Sequence, residues 1–191
     1  MLRTLLKITL GLLVSPMLYA MPENYSVITP QTAIGLSWHA FGSTSQANLD
    51  GITGSLLLDE ANDIHDSISV RIPSSTLQAS NSLLTYQLRS GLFFDTAHYP
   101  VLTFRSTRIV AEGQGHYRIF GLLQVKNIQR PVVLDASMDS RSASAADKST
   151  VSLRATTVIS RSAFNMDKFE AVVDDNIAIE IKIRARQLNP A

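Results

Sequence analysis

The sequence predicts an all-β protein of about eight antiparallel strands, closed into a barrel or stacked as a sandwich, with one short helix. Three observations predict it. Apolar residues recur with a period of two through most of the chain. Turn residues divide the alternating stretches: Asp50-Gly51, the EGQG of 112–115, Asn127 and Asp174-Asp175-Asn176. Helical spacing is confined to one segment around Leu84 and Leu88. Alternation alone does not choose between barrel and sandwich.

The chain opens with Arg3 and Lys7, a short apolar stretch from Ile8 to Val14 and a small residue at Ala20. That order is the order of a secretory signal peptide, cut after Ala20, and the apolar run is too short to span a bilayer. Residues 1–20 are thus expected to be a leader that directs the protein to the periplasm. Residues 21–191 are expected to be one domain. No later segment is long and apolar enough for stable membrane insertion. The chain has no cysteine, so disulfides, thiolate ligands and a lipid-modified N-terminal Cys are excluded. Core burial has to hold the fold together.

The first alternating stretch is AIGLSWHAF, with Ile34, Leu36 and Trp38 on one face. GITGSLLLD follows with Ile52, Leu56 and Leu58, and Gly54 marks a bend or a close approach of another backbone. DSISVRIP contributes Ile68, Val70 and Ile72. The helix is expected in SNSLLTYQLRSGLFF, with Ser80 or Asn81 as N-cap and Gly91 as the stop. VLTFRSTRIV, HYRIFGLLQV, RPVVLDAS and VSLRATTVI continue the period of two, on either side of a Ser/Ala-rich loop at 140–149. The plainest case is NIAIEIKIRARQL, where Ile177, Ile179, Ile181 and Ile183 oppose Glu180, Lys182, Arg184 and Arg186. That is a strand with one dry face and one wet face.

Charge and motifs exclude more than they identify. Without Arg3 and Lys7, 15 of the 17 basic residues remain against 16 acidic ones, and no basic cluster is left for nucleic acid. His39, His65, His98 and His116 are scattered without ligand spacing, so no metal is expected. The lone G-x-G of GQGHYR precedes a strand and reads as a hairpin turn. No G-x-S-x-G elbow is present. The chain is therefore expected not to be an enzyme. The aromatics remain. A barrel of about eight strands is just wide enough to be filled by side chains or to hold one slender ligand. Phe93 and Phe94, after a helix bearing Leu84 and Leu88, would lie across its mouth as an apolar lid.

Several stretches resemble the YceI family of exported bacterial proteins: G-x-L-x-x-D at Gly54 to Asp59, LRSGLFFDTAHYPVLTFRST from Leu88 to Thr107, GLLQVKNIQRPVVL from Gly121 to Leu134, and ISRSAFNM from Ile159 to Met166. Where that family usually shows Arg-Asp-x-His-Leu on the helix, this chain reads Leu84-Thr85-Tyr86-Gln87-Leu88. The resemblance implies a lipocalin-like antiparallel barrel with the helix near its mouth. It also implies a non-enzymatic function: carrying or sequestering an isoprenoid lipid, a polyprenyl chain or a quinone, with no other cofactor. The expected apolar lining is Trp38, Leu84, Leu88, Phe93, Phe94, Phe104 and Phe164. The competing expectation is a stress-related periplasmic interaction protein whose barrel is filled by its own side chains. A monomer or a homodimer is expected in either case.

Overall fold

The structure is a computed structural model and describes residues 22–59, 63–139 and 149–188. The expected leader and nearly all of the 140–149 loop lie outside these residues. Among the described residues, the strands are β1 (Glu23–Val27), β2 (Ala33–Ala40), β3 (Ser43–Leu49), β4 (Thr53–Leu58), β5 (Ser67–Pro73), β6 (Gln78–Ala79), β7 (Val101–Gly113), β8 (His116–Val125), β9 (Ile128–Asp139), β10 (Thr150–Ser160) and β11 (Asn176–Gln187). One helix, α1 (Ser82–Arg89), stands between β6 and β7.

A closed ring forms, not a sandwich. The order β1-β4-β5-β7-β8-β9-β10-β11 returns to its start because Tyr25, Ser26 and Val27 of β1 pair with Gln187, Arg186 and Ala185 of β11. Every contact in the ring is antiparallel. The same edge of β11 then accepts β2 through Ala178–Lys182. This is possible because β1 and β2 are one extended run broken by a single turn of 3₁₀ helix at Thr29–Gln31, with Pro30 in its first turn. β3 and β6 continue from β2 as a short flap beside the mouth.

The expected alternation is visible in burial. On β11, Ile179, Ile183 and Ala185 are buried while Glu180, Lys182, Arg184 and Arg186 are exposed. On β10, Val151, Leu153 and Ala155 are buried and Arg154 is exposed. β1 and β3 were not expected. β1 is too short to show a period, and β3, STSQANL, buries only Ala47 and Leu49.

Gly54 is where the backbones come close. A Cβ there would stand 2.3 Å from the Ser69 carbonyl oxygen and 2.9 Å from Val70 Cα on β5. α1 begins as expected: Asn81 is the N-cap, and its Oδ1 accepts from the Leu84 backbone N–H at 2.8 Å. Its end differs from expectation. Ser90 turns extended (φ −70°, ψ 168°), its hydroxyl donates to Gln87 O, and Gly91 takes no left-handed conformation.

Because Gly54 faces fixed backbone, Gly54→Val is expected to destabilise the barrel by about 1–3 kcal/mol in urea unfolding. Gly35→Ala on β2 meets nothing closer than Asn48 Oδ1 at 3.7 Å and is expected to change the midpoint little. Equal losses at the two positions would contradict the close approach.

Candidate functional site

The inward faces of the ring divide into a filled half and a hollow half. Toward the β7–β8 hairpin the interior is packed by Tyr25, Leu56, Ile109, Ala136, Val151 and Ala185, each no more than 6% exposed. None of these borders the cavity on the α1 side. Toward α1 the ring encloses a cavity of about 130 Å³. Its walls are the dry faces of the strands, among them Ile34 and Leu36 of β2, Val70 of β5, Ile119 of β8, and Ile179 and Ile181 of β11.

The segment after α1 builds the mouth. Phe94 N–H donates to Leu88 O (3.0 Å), Asp95 N–H to Ser90 O (2.9 Å) and Thr96 N–H to Arg89 O (3.0 Å). The chain thus doubles back on the helix and satisfies carbonyls that the helix end leaves free. Asp95 sits at φ 49°, and its carboxylate lies 2.8 Å from His98 Nδ1. This reversal turns Phe93 and Phe94 over the open end of the ring, where both border the cavity. Two adjacent phenylalanines at a turn are explained by that position. Below them, Phe104 lies over Gly121, where a Cβ would meet its ring at 2.4 Å.

Of the expected lining residues, Trp38, Leu88, Phe93, Phe94 and Phe104 border the cavity. Leu84 and Phe164 do not. Leu84 is one turn before Leu88 and packs, half-buried, against the core outside the mouth. Phe164 is 1% exposed in the 3₁₀ turn Ser162–Phe164 and packs within the core, while Arg161 and Met166 of the same loop reach the cavity instead. The branched aliphatic wall was not expected as lining. Its signal was present in the same period-two faces, which identify an inner wall once the sheet is known to close.

The loop from Arg161 to Asp175, between β10 and β11, forms the other side of the mouth, and Arg161 organises it. Its guanidinium is buried and donates to four backbone carbonyls: Asp174 (2.9 Å), Lys168 (2.8 Å), Val173 (2.9 Å) and Met166. Thr157, also on the lining, donates its hydroxyl to Val133 O at 2.8 Å. With both polar groups engaged by backbone, the cavity wall is carbon almost throughout. Asp175 fastens the loop's far end by accepting from Ser162 N–H at 2.9 Å. Hydrogen bonding from Ser160 is the main cause holding its carboxyl below the ordinary range. Lys126, in the β8–β9 turn, reaches across to Asn165 O at 3.2 Å. Burial draws its pKa down, against the opposing pull of Asp95 and Asp167.

Such a chamber can exclude water and pack hydrocarbon. His39, His65, His98 and His116 are all exposed, and among the described residues no group of His, Asp or Glu is placed to hold a metal ion.

Comparison with known proteins gives the same architecture. The YceI-like domain model matches residues 25–185. A UPF0312 protein of Photorhabdus laumondii is 30% identical over 139 residues, covering 71% of this chain and 72% of the relative. The crystal structure of BcnA from Burkholderia cenocepacia superposes with a TM-score of 0.74 at 20% identity, over 83% of this chain and 98% of that one. A domain of Saccharophagus degradans, described as polyisoprenoid-binding and implicated in plant cell wall breakdown, superposes with a TM-score of 0.63 at 11% identity, over 85% and 98%. At these identities the solved structures share the fold.

Replacing Arg161 with Met strips four carbonyls of their donor and is expected to cost at least about 3 kcal/mol, measured by urea unfolding. Asp175 gives a pH test. A carboxyl held below its unfolded value near 3.8 stabilises the fold above that pH, and the contribution is lost as pH falls further. Protection of the 161–175 amides, taken relative to their intrinsic exchange rate, is therefore expected to fall on acidification below about pH 3.8, and Asp175→Asn is expected to reproduce the loss of protection at pH 7.

Proposed function

The chain belongs to the YceI-like domain family, and we propose that in this member the barrel is a non-enzymatic receptacle for an isoprenoid lipid, a polyprenyl chain or an isoprenoid quinone, in the periplasm. The observation that carries the reading is the carbon-walled cavity at the α1 end of a ring packed solid at its other end. An isoprenoid tail is a slender, branched hydrocarbon, and each CH₂ it buries contributes about 0.8 kcal/mol. Binding then follows from removing surface from water and asks for no polar partner inside. The head group stays at the mouth.

Two physical points favour a receptacle over a barrel filled by its own side chains. Leaving about 130 Å³ empty costs a protein about 3 kcal/mol at the rate found for engineered core cavities. A larger aliphatic residue at one or two lining positions would remove that cost. The wall is also rich in Ile and Val, whose χ1 angles are stiff, so its shape is set before any ligand arrives. A cavity of roughly 150 Å³ lined by Leu, Ile and Phe stays dry and admits benzene, which shows what such walls accept. The polyisoprenoid-binding description of the Saccharophagus domain supports the ligand class, and the leader-like order of residues 1–20 in the sequence supports the location.

Native mass spectrometry of the protein taken from its own cell envelope is expected to show an added mass matching an isoprenoid species. A bare mass that persists when polyprenol and quinone are offered would overturn the reading. Phe94→Asp, which puts a charge at the mouth, is expected to weaken uptake at least about tenfold. Arg184→Ala, on the outer face of β11, is expected to leave it unchanged.

A further inference from the structure

We propose that the rim of the cavity is a docking surface for a phospholipid bilayer, so that the mouth opens directly onto membrane. Four apolar side chains stand exposed around it: Phe41 at 72%, Phe169 at 50%, Leu92 at 48% and Val172 at 44%. They come from three separate turns: β2–β3, α1–β7 and β10–β11. The turns are fastened to one another. Phe41 N–H donates to Val172 O at 2.8 Å, and Val172 and Val173 N–H both donate to Phe169 O. The Phe169 ring stacks on Phe93 with centroids 6.3 Å apart and planes 20° from parallel. Phe93 borders the cavity, so the exposed patch and the inner wall are one continuous apolar surface.

Backbone geometry points the same way. Phe41 lies at φ 51° and Phe169 at φ 61°, the left-handed region that bulky side chains rarely adopt. Asn takes that conformation more easily and would be at ease in water. Phe41 therefore adds little to folding, and Phe169 adds little beyond its stack on Phe93. Exposed aromatics held in unfavourable conformations mark a surface built to meet something.

Several features select a bilayer as that partner. The rim is a set of aromatic and aliphatic turn tips, the composition that enters the headgroup–acyl boundary. The charges beside Phe169 are mixed, with Lys168 between Asp167 and Phe169 and Glu170 following, which suits a zwitterionic surface. The cavity at its centre accepts hydrocarbon, and bilayers are where isoprenoids dissolve. That last point rests on the receptacle reading; the docking itself is measured without any isoprenoid.

The test is co-sedimentation of the protein with phosphatidylcholine vesicles free of isoprenoid. The protein is expected to pellet with the vesicles at low and at high salt. The double variant Phe41→Asn, Phe169→Asn is expected to partition at least about tenfold more weakly, with a melting temperature within a few degrees of the parent's, because relief of the left-handed strain offsets the lost Phe93–Phe169 stack. A parent that stays in the supernatant, or a double variant that pellets equally, would overturn the proposal. So would analytical ultracentrifugation showing the patch buried in a dimer that persists in the presence of vesicles. Vesicle binding by a protein that takes up no isoprenoid would leave the docking surface standing and remove the receptacle reading alone.

Discussion

Closure of the sheet is the constraint on which everything else depends. Three residue pairs between β1 and β11 turn an open sheet into a ring. Once the ring closes, its inner side chains have only each other to pack against, and their sizes decide whether the middle is solid. On the hairpin side Tyr25, fully buried on the closing strand, and its aliphatic neighbours fill it. On the helix side the wall is aliphatic and stops short of the centre, while Phe104 is accommodated flat against the wall because Gly121 has no Cβ. The cavity is thus a consequence of where large and small residues fall along the same alternating strands.

The mouth depends on a different kind of interaction. Three turns have to be held over the open end without regular structure, and backbone hydrogen bonds do it. The 89–96 reversal returns to the carbonyls of α1, and the 161–175 loop is gathered around one buried guanidinium. Strain collects here. Among the described residues, six non-glycine residues sit at positive φ: Phe41, Asp95, Lys126, Asn165 and Phe169 belong to turns at this end, and Gln114 lies in the β7–β8 hairpin. Rigid walls below and strained turns above are the division of labour expected of a binding barrel, where the scaffold fixes shape and the loops govern access.

The ring strands β4, β5 and β7 to β11 were legible because each is long enough to show a period of two between recognisable turns. β1 was not, because ENYSV places only Tyr25 and Val27 inward. β3 was not, because the flap is wet on most of its surface. Asn81 as N-cap was readable from chemistry, whereas the stop at Ser90 depends on the tertiary path toward Phe93. Of the residues expected to line the site, Trp38, Leu88, Phe93, Phe94 and Phe104 border the cavity. Leu84 and Phe164 show the limit: one helical turn, or one residue in a 3₁₀ turn, decides whether an apolar side chain meets a void or other protein. Arg161 as the organiser of a loop was invisible, because its partners are backbone carbonyls, which every residue carries.

Trp38 offers the most direct test of whether the hollow admits a guest. It is the one tryptophan of the chain, 9% exposed, and it borders the cavity. Its fluorescence should be followed while a short-chain isoprenoid quinone, a contact quencher, is titrated in. The account predicts saturable quenching at near one equivalent, with acrylamide in the surrounding water quenching little before or after. Trp38 emission that stays unchanged through the titration would mean that the middle of the ring is closed to hydrocarbon, and would contradict the account.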